Sequence, residues 1–292
     1  MGRVDFMMGA DPEFGMLTKS GMLRSANTII GDERMSAEFG TDGHSTIAEL
    51  RPKPAVEPID LVRNLRKCMQ DGIRKYPVTA TYEWKAGGTC YGESIGGHIH
   101  FGINAIAAHN RRNTDLYWGA MHRSLAYLSL LLEDPVESCD RRSGSYGLID
   151  DSAVRTDHSH GPEYRPLSSW LTSPYIALGV LSIAKVVMNA MLFEDVAELP
   201  DLKAISIADF KSCSRPELKS CIPSIKRFLR KCSTYDKYER PIAFILNLCE
   251  NNRSWFPRCG MKAAWGLSKS VESSLPEYLP KIKLRNLLEE IV

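Results

Sequence analysis

The sequence is short of extremes, and each absence removes a class of function. Its 37 basic and 35 acidic side chains nearly cancel, leaving a net charge of +2 over 292 residues, so no charge excess recommends nucleic acid as a partner. No run of about 18 apolar residues stands out as a membrane span. The opening Met1-Gly2-Arg3-Val4-Asp5-Phe6 lacks the apolar core of a signal peptide. Gly2 invites N-myristoylation, but Phe6 stands where that motif takes Ser or Thr. Eight cysteines occur without one C-x-x-C pair, which argues against a zinc knuckle or a thioredoxin-type site. They are expected to be reduced and unpaired, in a cytoplasmic protein. Internal repeats and low-complexity segments are also missing.

What is present is a patterned set of ionisable side chains. Gly96-Gly97-His98-Ile99-His100-Phe101-Gly102 alternates two imidazoles with two apolar residues. In an extended strand His98 and His100 share one face, and Ile99 and Phe101 share the other. Three further stretches repeat the layout: Asp11-Pro12-Glu13-Phe14, Glu49-Leu50-Arg51 and Glu163-Tyr164-Arg165. If all four are strands of one sheet, Asp11, Glu13, Glu49 and Glu163 crowd four negative charges beside Arg51 and Arg165. Such carboxylates cannot all stay ionised without a compensating cation. The pattern therefore predicts a divalent metal, with Asp42 and His44 near the entrance of the Glu49 strand.

The rest of the chain reads as support. Pro77 to Trp84 is expected as a strand, followed by a mobile glycine-rich connection over residues 87–94. Apolar spacing predicts amphipathic helices from Glu57 to Lys75 and from Asp115 to Glu133, with His122 on the surface or in packing. A polar loop over 139–161, containing Arg155 and His158, leads to Glu163 and is assigned substrate or nucleotide contacts. Ser173 to Phe193 reads as a strongly apolar helix. Further helical runs are expected at Pro216 to Lys231, Arg240 to Asn251 and Ile282 to Val292. Residues 1–195 are thus read as the catalytic core, and residues 196–292 as a mostly helical covering region.

Oxygen donors with imidazole suit Mg²⁺ or Mn²⁺, whereas clustered histidines with an open position suit Zn²⁺. Here carboxylates outnumber histidines, and arginines stand beside them. A planar guanidinium clamps phosphoryl oxygens in pairs, which favours an ATP-using enzyme over a hydrolase. The four motifs, in this order over about residues 4 to 190, resemble the phage-type COOH–NH2 ligases, type 2 amidoligases of the glutamine synthetase-like carboxylate–amine ligase superfamily.

That resemblance implies an α+β fold, a mostly antiparallel sheet with a polar catalytic face covered by helices. It implies amide-bond formation with ATP and Mg²⁺ (or Mn²⁺) through an acyl phosphate. Carried over to this sequence, it puts Asp11, His98 and Glu163 around the metal that bridges ATP phosphates. Glu13 and Glu49, with Asp42, hold the metal beside the acceptor carboxylate. His100, Arg155 and Arg165 contact phosphate, and His100, Arg165 and Arg51 stabilise charge in transfer. Asp11 departs from the longer Glu of glutamine synthetase itself. The implied partners are small-molecule or peptide carboxylates and amines, in the host cytoplasm if the chain is phage-encoded. Two alternatives stay open: a zinc hydrolase using His98, His100 and Glu163, and a non-catalytic phage binding protein.

Overall fold

The computed structural model describes residues 5–31, 37–43, 46–103, 125, 128–129, 132, 154–155, 159–194, 215–251 and 253–267. Its organising element is strand β1 (Met7–Leu17). Met8, Phe14 and Met16 are fully buried on one side of it, so Gly9, Asp11 and Glu13 fall on the other. Residues 7–12 pair with β8 (Gly97–Gly102), and Pro12, opposite Gly97, is the last residue of that ladder. Beyond it β1 pairs with β4 (Ala48–Leu50), β5 (Glu83–Lys85) and β2 (Leu23–Arg24). With β3 (Phe39–Thr41), β9 (Val154–Arg155) and β10 (Glu163–Tyr164), these form an eight-stranded sheet in which every pairing is antiparallel. The main path runs β3-β4-β1-β8-β10-β9. The four polar motifs therefore lie on adjacent strands of one sheet, as their alternation required.

Two local expectations change. Pro77–Thr81 is a 3-10 turn and only Glu83–Lys85 pairs with β1. The hydroxyls of Thr79 and Thr81 donate to the carbonyls of Tyr76 and Val78, three residues back. Such local bonds offer the backbone an alternative to the ladder. The glycine-rich connection is a hairpin of β6 (Thr89–Cys90) and β7 (Glu93–Ser94). Tyr91 and Gly92 make its turn with φ of 53° and 84°, the pair of positive values that a tight two-residue hairpin demands.

Helices cover the apolar face. A short helix, α1 (Ala26–Ile30), precedes β3. In α2 (Pro58–Lys75), Pro58 opens the first turn, Asp60 lies in it, and Arg74 and Lys75 close the last, each placed to suit the helix dipole. Its buried stripe is Leu61, Val62, Leu65, Cys68 and Met69. Helix α3 (Pro174–Phe193) is capped by Ser173, whose Oγ accepts from the Ile176 N–H at 3.3 Å. This helix corrects the expectation that nothing resembles a span: it is long and apolar enough to cross a membrane, with mean hydropathy 2.0. Ser182, Lys185 and Asn189 interrupt the apolar run in the sequence, yet all three are buried with it. The Lys185 Nζ donates to the Phe6 carbonyl at 3.2 Å and lies 3.9 Å from the Phe6 ring centroid.

Helices α4 (Arg215–Lys231) and α5 (Tyr235–Glu250) follow, then the short α6 (Met261–Ala264). Gly179 of α3 lies so close to Ile245 of α5 that a Cβ there would meet it at 2.1 Å. The Trp265 indole donates to the Leu171 carbonyl at 2.7 Å. One apolar cluster runs from Phe6 to Trp265 and includes Cys249 and Trp255, so the C-terminal helices share their core with the sheet. The six described cysteines are free thiols. The helix expected at 282–292 lies outside the described residues.

Candidate active site

The strand register decides which polar side chains meet. Glu13 stands opposite Glu49, Asp11 opposite His98, and Glu163 opposite both His100 and Arg155. Among the described residues two groups of ligand atoms result, each within 4.8 Å of one another: Asp11 with His100 and Glu163, and Glu13 with Asp42 and Glu49. Both contain a residue of β1.

The first group is rich in cations. His100 Nε2 lies 3.0 Å from Asp11 Oδ1, and His98 Nδ1 lies 3.3 Å from both Asp11 Oδ1 and Glu163 Oε1. Arg165 Nε and Arg155 approach the two oxygens of Glu163 at 3.3 and 3.4 Å. Burial pushes the Asp11 carboxyl up, but hydrogen bonds from His100 and His98 and the charge of both rings hold it well below the usual aspartate range. Burial pulls the His100 imidazole down, and the bond to Asp11 with the charges of Asp11 and Glu163 more than reverses this.

The second group has one cation beside it. Arg51 donates to Glu49 Oε2 at 2.8 Å, to the Thr41 carbonyl at 3.0 Å and to the Ala37 carbonyl at 3.3 Å. Glu13 Oε2 accepts from the Gly96 N–H at 2.5 Å, and its carbonyl accepts from Ser169 Oγ at 2.6 Å. Trp170 donates to the Gly97 carbonyl at 2.9 Å and covers that residue so closely that a Cβ there would meet the indole at 2.6 Å. Burial, and after it the charge of Asp11, push the Glu49 carboxyl up to about 9, with Glu13 and Asp42 adding to Asp11 against the pull of Arg51. Three buried or half-buried carboxylates with converging oxygens are the donor set of a hard divalent cation. A protonated Glu49 is what such a set becomes without one.

The geometry adds detail to two of the sequence expectations. His98 was expected among the metal ligands and His100 at phosphate; His98 Nδ1 approaches Asp11 and Glu163, His100 Nε2 also approaches Asp11, and the converging set of Asp11 and Glu163 takes in His100. Gly9 faces His100 across the ladder and offers no side chain, and His98 is 6% exposed. Arg51, expected to act on the reacting charge, directs its terminal nitrogens to Glu49 and two backbone carbonyls. Sequence reasoning missed His160, whose Nε2 lies 3.1 Å from His100 Nδ1. Its signals in the sequence are the i, i+2 spacing from His158 and a position three residues before Glu163. His44, His122, His158 and most of the 139–161 loop lie outside the described residues.

Comparison with known proteins follows the same lines. The family described as "Phage phiEco32-like COOH.NH2 ligase-type 2" matches residues 6–267, well past the last motif and through the C-terminal helices. Among solved structures, the bifunctional glutathione synthetase from Pasteurella multocida superimposes with a TM-score of 0.56 at 15% identity, over 98% of this chain and 49% of that one. The complex between the prokaryotic ubiquitin-like protein Pup and its ligase PafA gives a TM-score of 0.57 at 12% identity, over 86% of this chain and 66% of that one. The chain thus spans about half the length of the first and just under two thirds of the second. These likenesses show the fold. No curated protein matches the chain.

Proposed function

Since this chain belongs to the phage phiEco32-like COOH.NH2 ligases of type 2, we propose that it joins a carboxylate to an amine at the expense of ATP, with Mg²⁺ (or Mn²⁺), through an acyl phosphate. The carrying observation is the pair of ligand sets that flank one another on a single sheet face, with two arginines on Glu163. A carboxylate oxygen of the substrate attacks the γ-phosphorus and ADP leaves. The amine then attacks the acyl carbon, phosphate departs, and the nitrogen loses a proton.

The first step drives one anion onto another. Two unit charges 4 Å apart repel by about 1 kcal/mol in water and about 4 kcal/mol at an effective dielectric near 20. Glu13, Asp42 and Glu49 would hold a cation against the substrate carboxylate, and Asp11, His100 and Glu163 one against the phosphates. A divalent cation there neutralises charge and aligns the reacting oxygens. Arg165 and Arg155, which approach Glu163, would take phosphoryl oxygens if Glu163 served a metal. Arg51 keeps Glu49 aimed at the acceptor side. The neighbours are titled as a glutathione synthetase and the ligase of a ubiquitin-like protein, which supports a small-molecule or peptide carboxylate and amine as substrates.

The test is a coupled ADP-release assay with Mg²⁺ across amino acids, peptides and polyamines. Mg²⁺-dependent ADP release that requires both a carboxylate and an amine is expected. Silence from folded protein, together with tightly held zinc and no nucleotide binding, would replace this reading with the hydrolase. Among the described residues the two ligand sets hold five carboxylates and one histidine, which weighs for the oxygen-preferring metals.

A further inference from the structure

His160 lies in the turn before β10 and is exposed, yet its ring meets an imidazole of the site. His160 Nε2 is 3.1 Å from His100 Nδ1, and the two ring centroids are 5.1 Å apart. On its other side His100 presents Nε2 to Asp11 Oδ1 at 3.0 Å. His100 thus has both nitrogens engaged, by an exposed ring on one side and a half-buried carboxylate on the other.

An imidazole that ligates a metal must offer a bare nitrogen, and a neutral ring then carries its proton on the other. With Nε2 turned into the Asp11 and Glu163 set, the His100 proton belongs on Nδ1, where His160 Nε2 is the acceptor within reach. A ligating histidine is commonly fixed in this way by a partner at its second nitrogen, and loss of that partner weakens metal binding about 10- to 100-fold. The geometry points to His160 as a positioning residue that sets the tautomer and the tilt of His100, so that Nε2 faces the metal. The inference rests on the metal-dependent ligase reading and extends it to a residue that touches neither substrate nor metal.

The test is Mn²⁺ binding without nucleotide, by calorimetry and by the paramagnetic signal of free Mn²⁺, on wild type, His160→Ala and His160→Gln. The glutamine amide carries an acceptor oxygen near the place of His Nε2. Expected are a 10- to 100-fold weaker site in His160→Ala, recovery to within about threefold in His160→Gln, and unchanged thermal unfolding for both. Nitrogen-15 spectra of the Mg²⁺-loaded wild type should show the His100 proton on Nδ1, and the alanine variant should show a tautomer mixture. Equal Mn²⁺ affinity in wild type and His160→Ala would overturn the inference while leaving the ligase reading intact. Two normal Mn²⁺ sites and the stated tautomer, with no ADP release, would do the reverse. A wild type that binds no Mn²⁺ overturns it too.

Discussion

Asp11 and Glu13 are two residues apart on one strand, yet they belong to sites of opposite character. Around Asp11 stand two imidazoles, with Arg155 and Arg165 beyond Glu163, and the half-buried aspartate stays ionised. Around Glu13 stand Glu49 and Asp42, with Arg51 the cation beside them, and Glu49 holds a proton up to about pH 9. The first site is balanced by the protein. The second, with Arg51 beside it, keeps a proton on Glu49 that a bound cation would displace. A reaction that brings an anion to a polyanion has use for both, a preset positive field for phosphate and an acidic cradle that receives a cation with its substrate.

The comparison can be broken most forcefully by removing charge from each side. Glu13→Gln and Glu163→Gln are each expected to cut ADP release by about 100-fold or more, on the scale of losing a principal electrostatic contact in the transition state, with both proteins still folded by circular dichroism. If both unfold, these carboxylates are members of structural ion pairs.

The pH dependence of stability sharpens the contrast. Between the ordinary glutamate value of 4.5 and about 9, folded Glu49 keeps a proton that the unfolded chain has released. Metal-free protein should therefore lose stability as pH rises through that window, by at most about 1.4 kcal/mol per unit from this group. Glu49→Gln should flatten that slope in urea titrations at stepped pH. Asp11 works in the other direction: its folded value is depressed, so its contribution is present above the usual aspartate range and disappears on acidification. A metal-free stability that rises steadily from pH 5 to 9 would contradict the assignment at Glu49.

The smallest contrast is between two arginines. Arg51→Ala should cost about 1–3 kcal/mol, because it strips the partner from a buried carboxyl and two backbone carbonyls. Arg63→Ala, which breaks an exposed pair with Asp60, should change stability by no more than about 0.5 kcal/mol and leave ADP release untouched. Chemical denaturation of both variants checks the ranking.

The sheet and most of its polar face could be read from alternation alone, because a period of two is enforced by the pleat and needs no knowledge of neighbours. The i, i+2 spacing of Asp11 with Glu13 and of His98 with His100 placed all four on one surface. Spacing within a strand says nothing, however, about register between strands. That is why the sequence did not show that His100, which stands opposite Gly9, turns its ring to Asp11 just as His98 does. Arg51 carried the same uncertainty, since the Thr41 and Ala37 carbonyls that hold it come from a different strand and the turn before it. His160 was passed over for a further reason: it stands two residues after His158, but in a polar loop without the apolar alternation that marks a strand face, so the spacing carried no direction. The 3-10 turn at Pro77–Thr81 was hidden by threonines that suit a strand in composition but here bond to their own backbone.

One consequence follows from Asp11 and Glu13 sharing β1. Their separation is set by the pitch of an extended chain, roughly 6.6 Å for two residues, and no rearrangement of loops or helices alters it. Under the proposed function the strand would act as a ruler laid between the place where phosphate is given and the place where it is received. Inserting a single residue at Pro12 would swing one carboxylate through to the oily side of the sheet, so the gauge cannot be adjusted by small steps.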